Sequence, residues 1–165
     1  RYREIYVTKK LVEDLTPEII RLTGDERIEF TLADHDAEDR ATMEKHGVTT
    51  LPAIKDVSPG IQSVQSRLKT QKDKREQPRI YYVRGALVKV DEALEELHKP
   101  TCTEDEMPDY VWQKTPDGKP DKEQPLKVND HGCDATRYIV YYLDGNNAAP
   151  LPKAQPKQDS KWKKY

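Results

Sequence analysis

The sequence predicts an α/β fold, a mostly parallel sheet covered by helices, on three observations. Strand-like and helix-like periodicities alternate along the chain. The helical stretches carry recognisable start and stop residues. The chain closes on a capped amphipathic helix, before a tail with no core pattern.

The elements follow in order. Residues 2–8 alternate polar and apolar and read as a strand already in progress at the first residue. Residues 11–22 predict a helix, with Thr16-Pro17 able to restart its first turn and Gly24 to end it. Strand 28–33 runs into Asp34, and a charged helix over 37–46 ends at Gly47. A short strand at 52–54 leads to a helix from about 58–60 to 69, whose Ile61, Val64 and Leu68 have the spacing of a buried stripe. Tyrosines and valine give residues 79–84 strand character. Residues 91–98 form a short helix capped by Asp91, and Thr103-Glu104-Asp105-Glu106 an acidic turn before an edge strand near Tyr110-Val111-Trp112-Gln113. Residues 115–124 are a Pro/Gly/Asp/Lys loop. The domain is expected to span residues 1–145, with 146–165 a disordered basic tail.

Composition limits the function. At 165 residues the chain holds one domain, and charged residues at 35% equal the apolar share, so the core is modest. A net charge of −2 excludes a uniformly basic nucleic-acid wrapper and leaves room for a local basic groove. No run of about 18 apolar residues and no signal-peptide pattern is present, so a soluble intracellular protein with no membrane contact is expected. Two cysteines, Cys102 and Cys133, are too few for a disulfide framework and lack zinc-site spacing. Cys133 reads as a small buried helix residue and Cys102 as a loop thiol.

The chemistry concentrates in Val128-Asn129-Asp130-His131-Gly132-Cys133-Asp134-Ala135-Thr136-Arg137-Tyr138. Asp130 or Asn129 can cap the helix, and His131 and Asp134, three residues apart, share one face of its first turn. Acidic residues in a first turn also simply complement the helix dipole. Asp34 stands at a strand end, and Asp36 is the better cap for the helix that follows, which frees Asp34 for metal. His35 reads as a solvent-facing loop residue. Arg137, three positions after Asp134, pairs with an acid or a phosphate, a surface salt bridge being the default. Lys69, Lys72, Lys74 and Arg75 lie in a basic run able to displace counterions from a phosphate backbone, with Lys55 facing the same groove; a solvated loop is the alternative. Tyr81, Tyr82 and Trp112 read as packing residues.

The stretch Asn129 to Tyr138 resembles the DHxxDAxRY-like signature of the nuclease domain of tailed-phage terminase large subunits. A second block agrees in order: Arg27-Ile28-Glu29-Phe30-Thr31-Leu32-Ala33 into Asp34, then Leu51-Pro52-Ala53-Ile54-Lys55 and Pro59-Gly60-Ile61. The likeness covers roughly residues 1–143. It implies a ribonuclease H-like fold and a metal-dependent DNA endonuclease that cuts concatemeric viral DNA during genome packaging. It implies Asp34, Asp134 and His131 as catalytic metal ligands for Mg²⁺ or Mn²⁺ in a two-metal site, and double-stranded DNA, the small terminase subunit, the portal and the capsid as partners, in the host cytoplasm. In that family an acid-bearing strand precedes one like residues 2–8. The first strands, the first acidic ligand and the ATPase motor, whose phosphate loop is not found here, are therefore expected upstream of Arg1. The alternative from another class is a non-catalytic remnant or docking fragment of a terminase.

Overall fold

The computed structural model describes residues 1–34, 36–70, 77–114 and 120–145, with backbone alone for 120–123. It is a mixed α/β molecule with small sheets. Helix α1 (Val12–Thr23) is followed by β1 (Leu32–Ala33), α2 (Ala37–Lys45), β2 (Leu51–Pro52) and α3 (Val57–Leu68). Then come two short helices, α4 (Glu92–Glu96) and α5 (Thr103–Glu106), a 3₁₀ turn at Met107–Asp109, strands β3 (Trp112–Lys114) and β4 (Pro120–Pro125), and α6 (His131–Leu143).

Strands β1 and β2 pair in parallel, Leu32 opposite Leu51 and Ala33 opposite Pro52. Parallel neighbours need a long crossover, which α2 supplies. Asp36 caps α2, its carboxylate accepting the N–H groups of Glu38 at 2.9 Å and Asp39 at 3.2 Å, as its sequence position predicts. Asp91 caps α4 in the same way through Ala93 and Leu94. Helix α1 packs on α2, and α3 on α6.

Three sequence expectations are corrected. The strands foreseen at 2–8 and 79–84 do not form; the Val83 N–H meets the Arg1 carbonyl at 2.9 Å, and among the described residues a single parallel bridge joins Glu4 to Leu87, beyond the second segment. Backbone bonds from Glu4 to Ala86 (2.8 Å) and from Val88 to Glu4 (2.9 Å) hold that bridge. The strand expected over 28–33 pairs only at its last two residues, because β2 is itself two residues long. The loop foreseen at 115–124 contains most of β4, which pairs antiparallel with β3, Trp112 opposite Pro125. Proline is tolerated there because the two strands form a sheet with nothing but edges, and a missing N–H can face outward.

The interior is small and unusually polar. Among the described residues the buried apolar side chains are Ala53, Leu94, Val140 and Tyr142, whereas Thr16, Thr50, Thr103, Glu106, Asp130, Thr136 and Arg137 are also buried. Such an interior is held by satisfied hydrogen bonds as much as by apolar area. Among the described residues no helix is long and apolar enough to cross a membrane.

Candidate functional site

The parallel ladder brings the ends of β1 and β2 side by side, Ala53 donating its N–H to the Ala33 carbonyl at 2.8 Å. Asp34 and Lys55 emerge from those ends, and their side chains form an ion pair. Both are substantially exposed. With Asp36 committed to the α2 cap, Asp34 is oriented by Lys55.

Helix α6 carries the second acid. The Asp134 carboxylate receives Lys127 Nζ at 2.9 Å on Oδ2, and Tyr110 Oη at 3.0 Å and Arg137 Nη2 at 2.9 Å on Oδ1. Asp130 shares Lys127, also at 2.9 Å. Burial pushes the Asp134 carboxyl up, but the hydrogen bonds of Lys127 and Arg137 outweigh it and hold it below the usual aspartate range. Burial likewise works against the charge of Lys127, and the carboxylates of Asp130 and Asp134 reverse that and raise it. Tyr110 is pushed up to about 12 by burial and then by the Asp134 charge.

The Tyr138 ring centre lies 4.8 Å from the Arg137 guanidinium. Burial raises the Tyr138 phenol, and the negative charges of Asp134 and of Asp34 both add to the shift. A hydrogen-bonded path joins the two sides: Arg137, which holds Asp134, donates through Nη1 to the carbonyls of Lys55 at 3.2 Å and Asp56 at 3.1 Å. Asp34 is thus paired with the Lys55 side chain, and Asp134 is tied through Arg137 to the Lys55 backbone.

His131 goes elsewhere. It is exposed and lines a cavity of about 370 Å³ beside Arg1, Arg3, Glu4 and Tyr6. The cap of α6 differs from expectation as well: the Asp130 side chain makes no cap bond, being drawn to Lys127, and Glu106 Oε2 accepts the Cys133 N–H at 2.8 Å instead. Gly132 makes this possible, since a Cβ there would collide with the Thr103 hydroxyl and approach Glu106. Cys133 is half-buried, and burial followed by the Glu106 charge pushes its thiol up to about 12. Lys69 is the C-cap residue of α3, while His35, Lys72, Lys74 and Arg75 lie outside the described residues.

Arg137 is not the surface residue expected by default, being 2% exposed. Lys127 and Tyr110 escaped sequence reading. Lys127 stands three residues before Asp130 and seven before Asp134, a signal visible in hindsight; Tyr110 reaches Asp134 from a distant turn and left none.

Hard carboxylate oxygens suit Mg²⁺ or Mn²⁺, and Asp34 and Asp134 are the side chains that would hold such an ion. The exposed Lys55 pairing is the kind of ion pair a dication can displace. Among the described residues no three His, Cys, Asp or Glu side chains form a ligating group. No family model, no curated protein and no solved structure matches this chain.

Proposed function

We propose that this chain is part of a metal-dependent DNA endonuclease with a ribonuclease H-like arrangement, the nuclease portion of a terminase large subunit acting on concatemeric viral DNA. The observation that carries this reading is that Arg137, which holds Asp134 of the last helix at 2.9 Å, also donates to the carbonyl of Lys55, whose side chain pairs with the strand-end acid Asp34. Asp34 and Asp134 would hold Mg²⁺ or Mn²⁺, which when bound would supply an activated water and charge stabilisation for phosphodiester hydrolysis. Lys55, at the mouth of the site, and Lys69 offer positive charge to the DNA backbone. The small terminase subunit, the portal and the capsid are partners that the motif resemblance implies.

A second reading is a non-catalytic docking piece of the same machine. It is favoured by the cations already seated on each acid, Lys55 on Asp34 and Lys127 with Arg137 on Asp134. Nicking of supercoiled plasmid in Mn²⁺ separates the two. The nuclease reading expects cleavage that Asp34→Asn and Asp134→Asn each abolish while circular dichroism stays native. Absence of nicking by the wild type favours docking, and its persistence in either folded variant removes that residue from the site.

A further inference from the structure

We propose that Arg137 is the positioning residue of this site: from a buried seat beneath Gly60 it fixes how far the carboxylate of Asp134 stands from the strand ends that carry Asp34 and Lys55. The proposal rests on the nuclease reading for its functional consequence and on packing alone for its geometry.

A guanidinium is a planar fork of five N–H donors, and here both tines are occupied by different elements. Nε and Nη2 take Asp134 Oδ1, at 3.3 and 2.9 Å. Nη1 takes the Lys55 and Asp56 carbonyls, in the link between β2 and α3. The face of the fork lies 4.8 Å from the Tyr138 ring centre, the phenol that feels both acids. Because the fork is rigid, Asp134 and the backbone of Lys55 cannot move relative to each other without breaking a charge-assisted bond. A lysine could hold one side or the other on its flexible stem, but not both.

Gly60 completes the device. It lies inside α3 and is buried, where glycine is a poor helix former and alanine would favour the helix. A Cβ at this position would stand 2.7 Å from Arg137 Cγ and 3.0 Å from Cδ. Those atoms belong to the stem of a side chain tied down at its far end, so they cannot swing aside cheaply. Glycine is required because the arginine stem passes there.

The test is a cycle of Gly60→Ala, Arg137→Ala and the double variant, with Arg137→Lys as the conservative control. Thermal unfolding should show strong coupling: Gly60→Ala lowers Tm by several degrees in the wild type and by almost nothing once Arg137 is alanine. The side-chain carboxyl ¹³C resonance of Asp134 should shift in Gly60→Ala, which does not touch the acid, and in Arg137→Lys, which removes the fork that holds it. Mn²⁺ affinity, read from the free-ion paramagnetic resonance signal, should fall about tenfold in both. Additive unfolding effects, or an unmoved Asp134 resonance in Gly60→Ala, overturn the positioning role. Failure of the wild type to bind Mn²⁺ overturns the nuclease reading, and the coupling and the resonance then still decide the role of Arg137.

Discussion

Glu106 and Asp134 are both carboxylates set against the first turns of α6, and they are held in opposite ways. Glu106 has no exposed surface, and its partners are the Tyr6 hydroxyl and the Cys133 backbone N–H. Neither partner carries a charge, and one is part of the helix backbone. Asp134 is held by Arg137 and by Lys127, whose side chain is 52% exposed and whose ammonium is shared with Asp130. The first acid is locked by groups that cannot leave; the second keeps one partner that can. A buried acid satisfied by backbone and hydroxyl groups is structural, whereas one facing a mobile cation has a place that another cation can take.

That contrast breaks most visibly at Glu106. Glu106→Ala leaves a part-buried N–H and a part-buried hydroxyl without their acceptor and opens a cavity where a fully buried side chain stood, and should destabilise the protein by about 2–4 kcal/mol. The urea midpoint measures it, and a change under about 0.5 kcal/mol would place Glu106 on the same footing as a surface acid. Burial first, then the Glu106 bond, raises the Tyr6 phenol above its usual range.

A smaller effect appears on acidification. The Asp134 carboxyl is held below its ordinary range in the folded state, so it contributes stability that is fully present above the unfolded pKa of about 3.9 and is lost as pH falls through the folded value. Asp105, whose carboxyl accepts from the Thr101 backbone, and Asp91, which accepts from the Thr8 backbone, are lowered too and act with the same sign. Melting temperature should therefore fall between pH 5 and pH 3 (bounds set by the roughly 3.9 reference value), and fall less steeply in Asp134→Asn. An equally steep fall in that variant would mean that Lys127 and Arg137 do not favour the ionised acid.

The smallest effect sharpens the comparison. Lys127→Ala removes the exchangeable partner and should tighten Mn²⁺ binding roughly two- to fivefold, the scale of one partly exposed ion pair. Weaker binding in this variant would make Lys127 a fixed part of the structure.

The sequence carried the local grammar of this molecule better than its sheets. Asp36 and Asp91 are legible as caps because capping depends on residues two and three positions away. The stripe Ile61, Val64 and Leu68 does mark a helix, but not a wholly buried face, since Leu68 is exposed. Strand lengths were not legible, since a strand lasts only as long as its partner, and β2 stops at Pro52. The same limit applies to the site. Asp34 and Asp134 could be singled out by residue type and motif, but the Glu106 cap, the Tyr110 bond and the passage of Arg137 under Gly60 join segments far apart in the chain. The polar interior explains why: hydrogen-bond partners carry no periodicity, whereas apolar stripes do.

The central claim is that Asp34 and Asp134 share one hard cation, and direct Mn²⁺ binding tests it. Titrating the protein into Mn²⁺ and following loss of the free-ion paramagnetic resonance signal gives the affinity without DNA and without turnover. The account predicts measurable binding by the wild type and at least about tenfold weaker binding by Asp34→Asn and by Asp134→Asn alike, the scale of losing one of the carboxylates that hold the ion. Equal affinity in wild type and either variant would contradict it.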